Sequence, residues 1–318
     1  MNVSAFDCII APTLILLAWL AMRIKDLFVG IVLFILFGLL TALTWVELQA
    51  PDIALVEAAI GAGVVGALFL GCLGIIESRQ GIYQFPMERK RRSLLWIPVL
   101  SLAAILCWSI SQLPPETQGL GNLVRNSLLD SGVTNPVTAV ILNFRGYDTL
   151  LEIGVLFLAA VAIVSLRFFE PAKLDSRLAP NSRVFLFFLQ LLTPSIVLVS
   201  AYLLWQGTNY PGGAFQAGAI LTGGGVLLLL AKVSLPLDYR NPWLRLAVVS
   251  GFAGFLLTGL GMMGIGMMFL EYPVTYAKWV IVLIEILATV SSGLILLTLF
   301  SGCAGFLGIT RRGGDGTL

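Results

Sequence analysis

The sequence predicts an all-α polytopic membrane protein of about nine transmembrane helices, with the N-terminus outside and the C-terminus cytoplasmic. Three observations predict it. Fifty-eight per cent of the 318 residues are hydrophobic and eleven per cent charged, which excludes both a soluble domain and a disordered chain. Apolar runs of about 20 residues, the length that crosses a bilayer core, follow one another through most of the chain. Sixteen of the nineteen Lys and Arg residues fall in alternate loops or in the C-terminal tail, and only Arg125, Arg145 and Lys278 fall on the other side. A missed or invented helix would scramble that alternation.

The runs cover approximately 4–22, 27–46, 52–76, 93–112, 147–168, 184–206, 214–234, 243–268 and 276–300. The first carries Pro12 inside it and Asp7 near its start. It lacks a basic region before it and a small-residue cleavage site after it, so it reads as a retained span. The third opens with Pro51-Asp52, a proline at the first turn and a carboxylate at the positive end of the helix dipole. Small residues recur along it and allow close helix approach.

Between the fourth and fifth runs lies a long outer segment, from about 113 to 146, opened by Pro114-Pro115 and turned at Asn135-Pro136. Its end, PVTAVILNF, is apolar but too short to span, which predicts an interfacial or re-entrant helix. The polar, proline-containing stretch EPAKLDSRLAPNSR reads as a cytoplasmic linker and a module boundary. The nine runs group as three over 1–92, two over 93–180 and four over 181–318.

Composition excludes several functions. A net charge of +2 implies no bulk electrostatic partner, and basic residues clustered as helix flanks exclude nucleic acid. Cys8, Cys72, Cys107 and Cys303 are widely spaced in apolar runs and form no metal or redox motif. Histidine is absent, which removes the commonest metal ligand and neutral-pH proton shuttle. No nucleophile–base pair or cofactor loop is present, so neither an enzyme nor a resident cofactor or metal is expected.

The candidate functional residues are acids inside apolar runs, where a carboxylate costs ~3 kcal/mol or more and is rarely idle. Glu57 lies within the third run; it either serves an ion or hydrogen-bonds a partner helix. Arg145, Asp148 and Glu152 share one face of the fifth. Arg145 and Asp148 fit a surface ion pair, whereas Glu152, a turn deeper, wants an internal partner. Glu285 lies about 15 Å along the ninth helix, the deepest acid, with Lys278 two turns before it on the same face. Between the sixth and seventh runs, QGTNYPGGAFQAGAI breaks the apolar pattern. Gly212 and Gly213 admit unusual backbone angles, and Asn209 and Gln216 can satisfy freed backbone groups. The segment is either a cavity-lining break or a tight hairpin.

Three of these segments resemble one family. PDIALVEAAIGAG resembles the "PDLALT" helix at the C-terminal end of the large subunit of Mrp-type multisubunit sodium/proton antiporters. VTAVILNFRGYDTLLEIGVL resembles the "VILVDFRGFDTLGEI" segment that follows it, and GTNYPGGAFQAGAI resembles the "GHNAPGGGFQGG" signature of the small antiporter protein B. The chain therefore resembles a fusion in which the C-terminal region of the large antiporter protein is joined to protein B, similar to the sodium-side subunits of membrane-bound hydrogenase. The resemblance implies one multi-pass subunit of a larger complex in a prokaryotic plasma (inner) membrane. Its partners would be other antiporter-type subunits and lipid, and its cargo Na+ or H+.

It also implies roles for Asp148 and Glu152 as the family's acidic pair, with Leu151 in place of glycine between them. Glu57 stands where antiporters carry glutamine, and their essential acid falls at Gly61; hydrogenase-type versions, with "TEAAVGAG", are closer. Pro211-Gly212-Gly213 and Phe215-Gln216 keep the core of the protein B signature, while Thr208, Tyr210 and Ala214 depart from it. The alternative is a non-conducting scaffold of a respiratory, hydrogenase or inorganic-carbon-uptake complex.

Overall fold

The computed structural model describes residues 5–78, 96–113, 119–165, 183–231 and 237–306, with 233 and 235. The linker 170–182, the basic cluster 89–92, Pro114-Pro115 and the tail from 307 lie outside the described residues. Every described element is helical. The helices are α1 (Ala5–Arg23), α2 (Leu27–Glu47), α3 (Pro51–Val56, Glu57–Val64 and Val65–Ser78), α4 (Trp96–Ser111), α5 (Gly121–Asn126), α6 (Pro136–Ala139), α7 (Gly146–Ser165), α8 (Arg183–Gln206), α9 (Ala214–Leu230), α10 (Pro242–Gly264) and α11 (Val274–Phe306). Each of the nine apolar runs holds a helix among the described residues. Among the described residues seven are long and apolar enough to cross a membrane, while Trp96–Ser111 and Ala214–Leu230 are apolar but shorter.

Local chemistry accounts for the boundaries. Asp26 caps α2, its carboxylate accepting from the N–H groups of Phe28 and Val29 at 2.9 and 3.2 Å. Asn135-Pro136 and Asn241-Pro242 start α6 and α10 in the same way. In each, the asparagine side chain caps the helix and proline takes the first position, where its missing N–H costs nothing. Asn135-Pro136, expected as a turn, is thus a helix start.

Two stretches widen to π-helical geometry: Glu57–Val64 inside α3, and Val140–Phe144 between α6 and α7. Such widening frees backbone carbonyls and concentrates at functional positions. In the second, Thr149 donates its hydroxyl to the Ile141 carbonyl at 2.6 Å and satisfies one of them. The nonamer PVTAVILNF therefore forms a short helix packed into the bundle, with Thr138, Ala139 and Leu142 buried.

The core lies around α11, which packs on α7, α9 and α10. Ile153, Phe255, Ile281 and Ile284 are at most 1% exposed and fill its centre. Close approach depends on small residues. Gly218 of α9 lies against Ser292 and Gly293 of α11, where a Cβ would collide with the Ser292 hydroxyl. Phe157 stacks on Phe252, with centroids 5.9 Å apart, and fixes α7 to α10.

Candidate functional site

The site forms where α8 ends and α9 begins. The connecting residues 207–213 turn back sharply at Gly212 and Gly213. Gly213 has φ 122° and ψ −170°, a conformation that L side chains rarely adopt. At Gly212 a Cβ would lie 2.5 Å from the Leu203 carbonyl oxygen, so only glycine fits. That carbonyl accepts from both Gly207 N–H and Gly213 N–H, at 3.2 and 3.0 Å, and closes the turn on the end of α8.

Other parts of the chain hold the turn from outside. Asp52, at the start of α3, accepts Gly212 N–H at 2.9 Å. Gln216 donates to the Asp52 backbone carbonyl at 3.4 Å. Asn135 donates its side-chain amide to the carbonyls of Tyr210 at 2.9 Å and Gly207 at 3.3 Å. Thr138 donates to the Gly207 carbonyl at 2.5 Å. The Thr134 and Asn135 N–H groups both reach the Thr208 carbonyl, and the Thr134 hydroxyl reaches Asn209 Oδ1 at 3.0 Å. The backbone groups of a chain break are thus satisfied by protein, as buried irregular backbone requires.

Glu285 closes the site from α11. It is 2% exposed. Its Oε1 lies 3.0 and 3.1 Å from the positions that a Cβ would take on Gly207 and Gly213. Its Oε2 is buried without a hydrogen-bond partner among the described residues. The only other such atom among them is the Tyr272 hydroxyl, in the α10–α11 connection. Burial pushes the Tyr272 phenol well above its ordinary range, so it stays neutral and offers a proton donor.

The remaining candidates stand elsewhere. Glu57 is half-buried at the start of the π-helical stretch, and its carboxylate folds over Gly61, with Oε1 2.5 Å from where a residue 61 Cβ would begin. Asp148 is exposed and pairs with Arg145, the surface ion pair considered from the sequence. Glu152 is also exposed on this chain, beside Leu151, Val155 and Leu158 on the outer face of α7. Lys278 is exposed at the start of α11 while Glu285 is buried, so the shared face does not bring them into contact. Of the broken segment, Asn209, Gly212, Gly213 and Gln216 enter the hydrogen-bond network, and Pro211 and Phe215 flank it. Sequence reasoning missed Asp52, Asn135 and Thr138. The signal for Asn135 was its cap position, and for Thr138 a lone hydroxyl in an apolar nonamer.

The architecture is a helical bundle with seven membrane-length apolar helices among the described residues and an acid buried beneath a clasped glycine turn. Three family models tile the chain: MbhD of the MBH assembly over residues 12–77, MbhE of the same assembly over 87–183, and a domain related to the MnhB component of Na+/H+ antiporters over 184–305. The likeness to Mrp-type antiporter subunits is thereby shown along most of the chain.

A probable K+/H+ antiporter protein of the combined A/B type, from Rhizobium meliloti, is 25% identical over 278 residues, 76% of this chain and 27% of that protein. The Na+/H+ antiporter A protein of Alkalihalophilus pseudofirmus is 29% identical over 134 residues, 41% of this chain and 16% of that one. The chain thus spans about a quarter or less of the curated relatives it matches. The solved Mrp complex of Dietzia sp. shares the fold, with a TM-score of 0.73 at 22% identity over 99% of this chain and 36% of the matched one.

Proposed function

We propose that this chain is a membrane subunit of a multisubunit cation/proton antiporter, or of an antiporter-like energy-converting complex, and that it carries part of a monovalent cation or proton pathway. The observation that carries this reading is Glu285: a carboxyl 2% exposed, with one oxygen unpartnered among the described residues, beneath a glycine turn. An ionised carboxylate without a counter-charge is not stable in such a place, so it holds a proton or a cation. A group that can hold either and is kept unpaired is suited to exchange one for the other. Sodium is a hard ion that prefers oxygen ligands, which the carboxylate supplies.

The relatives named above are antiporter subunits, which supports partners of the same kind and a place in a prokaryotic plasma membrane. The family matches support a division into modules 1–92, 93–180 and 181–318. The loop-charge pattern supports an outside N-terminus and a cytoplasmic C-terminus. Glu57, folded over Gly61, puts its carboxylate where an acid at 61 would begin, which supports Glu57 as a substitute for the family's acid. The outward position of Asp148 and Glu152 favours a different role for that pair: they belong to a face covered by another subunit, since an acid left facing lipid costs ~3 kcal/mol or more.

The test is Glu285→Gln, which keeps the shape and removes the charge. In everted vesicles containing the assembled complex, sodium- or potassium-dependent proton flux falls at least about tenfold while the amount of assembled complex is unchanged. Unaltered flux would refute the reading and leave the scaffold alternative.

A further inference from the structure

Asp52 and Glu285 are the two acidic side chains that the fold buries among the described residues, at 7% and 2% exposure. They belong to helices far apart along the chain, α3 and α11, and both reach the same two-residue turn. Asp52 Oδ1 accepts Gly212 N–H at 2.9 Å, and Glu285 Oε1 stands against Gly213 and Gly207. Gln216 lies beside both. Its amide donates to the Asp52 backbone carbonyl, and its own Oε1 is 3.5 Å from the position that a Gly213 Cβ would take. Gln216 is itself buried, at 8% exposure.

Charge decides what this arrangement can do. No lysine or arginine among the described residues pairs with either acid. The donor on Asp52, the Gly212 amide N–H, is neutral. Glu285 Oε2 has no donor among the described residues. Hydrogen bonds lower the cost of a buried carboxylate but do not cancel its charge, and a buried charge without a counter-ion is strongly unfavourable. Two such groups on one turn, with a polar amide beside them, therefore make a place for positive charge.

We propose that Asp52 and Glu285 form one two-carboxylate station across the Gly212–Gly213 turn, through which a single positive charge, a proton or an alkali cation, passes between α3 and α11. This rests on the reading of Glu285 as an ion site and extends it to an acid on another part of the chain. The step conserves charge: the proton or cation leaves one carboxylate oxygen and is taken up by the other, with no covalent bond to carbon made or broken. The station is incomplete without α3.

The experiment compares Asp52→Asn, Asp52→Ala and Glu285→Gln in the purified complex reconstituted in proteoliposomes, with flux expressed per assembled complex. Asparagine can still accept Gly212 N–H through its Oδ1 but carries no charge; alanine loses both. The station requires that Asp52→Asn lower cation-dependent proton flux about tenfold or more, as Glu285→Gln does. Wild-type flux in Asp52→Asn, with Glu285→Gln inactive, overturns the station and leaves Asp52 an anchor while the functional reading stands. Wild-type flux in both variants overturns the two together. Expressing flux per assembled complex keeps the comparison decisive if a variant assembles poorly. Carbodiimide labelling with Na+ as the probe separates the cargoes: protection of the two carboxyls by Na+ assigns the station to the alkali cation, and labelling indifferent to Na+ assigns it to the proton.

Discussion

Gly213→Ala tests whether the turn between α8 and α9 is set by backbone conformation. At φ 122° and ψ −170° an L residue is strained by ~1–3 kcal/mol. Its methyl would also lie 3.1 Å from Glu285 Oε1, a tight contact with an acid. Relief by rotating the peptide would break the Gly213 N–H to Leu203 carbonyl bond, now 3.0 Å, at a further cost of ~1 kcal/mol. The expected destabilisation is therefore about 2–4 kcal/mol. It is measured as a lowered thermal unfolding midpoint of the detergent-solubilised protein. Gly223→Ala is the control: that glycine lies within α9 with nothing near its Cβ position, so alanine there changes stability by no more than ~1 kcal/mol, in the stabilising direction. If Gly213→Ala melts with its control and keeps wild-type exchange, the turn does not depend on glycine geometry and the reasoning fails.

Other expectations follow from the contacts. Thr138→Val keeps the side-chain shape but removes the donor to the Gly207 carbonyl, which retains only the longer bond from Asn135; thermal unfolding should report a loss of ~1–2 kcal/mol. Gly218→Ala places a methyl against the Ser292 hydroxyl and 3.1 Å from the Thr289 carbonyl oxygen, which forces α9 and α11 apart at a cost of ~1–3 kcal/mol. Adding Ser292→Ala removes the colliding oxygen, and a double-mutant cycle should show recovery of part of that loss.

The helices were legible in the sequence because each needs only a local signal, an apolar run of bilayer length. The burial of Glu285 was legible too, since an acid so far inside a long apolar helix has nowhere else to go. The glycine pair announced the break. Asp52 was not legible as part of the site, because a helix-start carboxylate already has a sufficient local explanation in the dipole. Its bond to Gly212 joins residues 160 positions apart, and no periodicity reports such a contact. The i,i+4 spacing of Asp148 and Glu152 showed that they share a face, but spacing cannot tell whether that face turns inward. The side of α7 with Leu150 and Ile153 turns to the core, so the acids turn away.

The placement of these acids separates two tasks within one chain. The inner face of α7 supports α10 and α11 through Ile153 and the Phe157–Phe252 stack, and so holds the helix that carries Glu285. Its outer face presents Glu152 and the Arg145–Asp148 pair away from the bundle. Meanwhile α6, just before it in the chain, clamps the turn above Glu285 through Asn135 and Thr138. A shift of α7 driven from its outer face would therefore be felt in two places at once, at the helix that carries the acid and at the segment that holds the turn over it. Packed interiors transmit such shifts because they deform little.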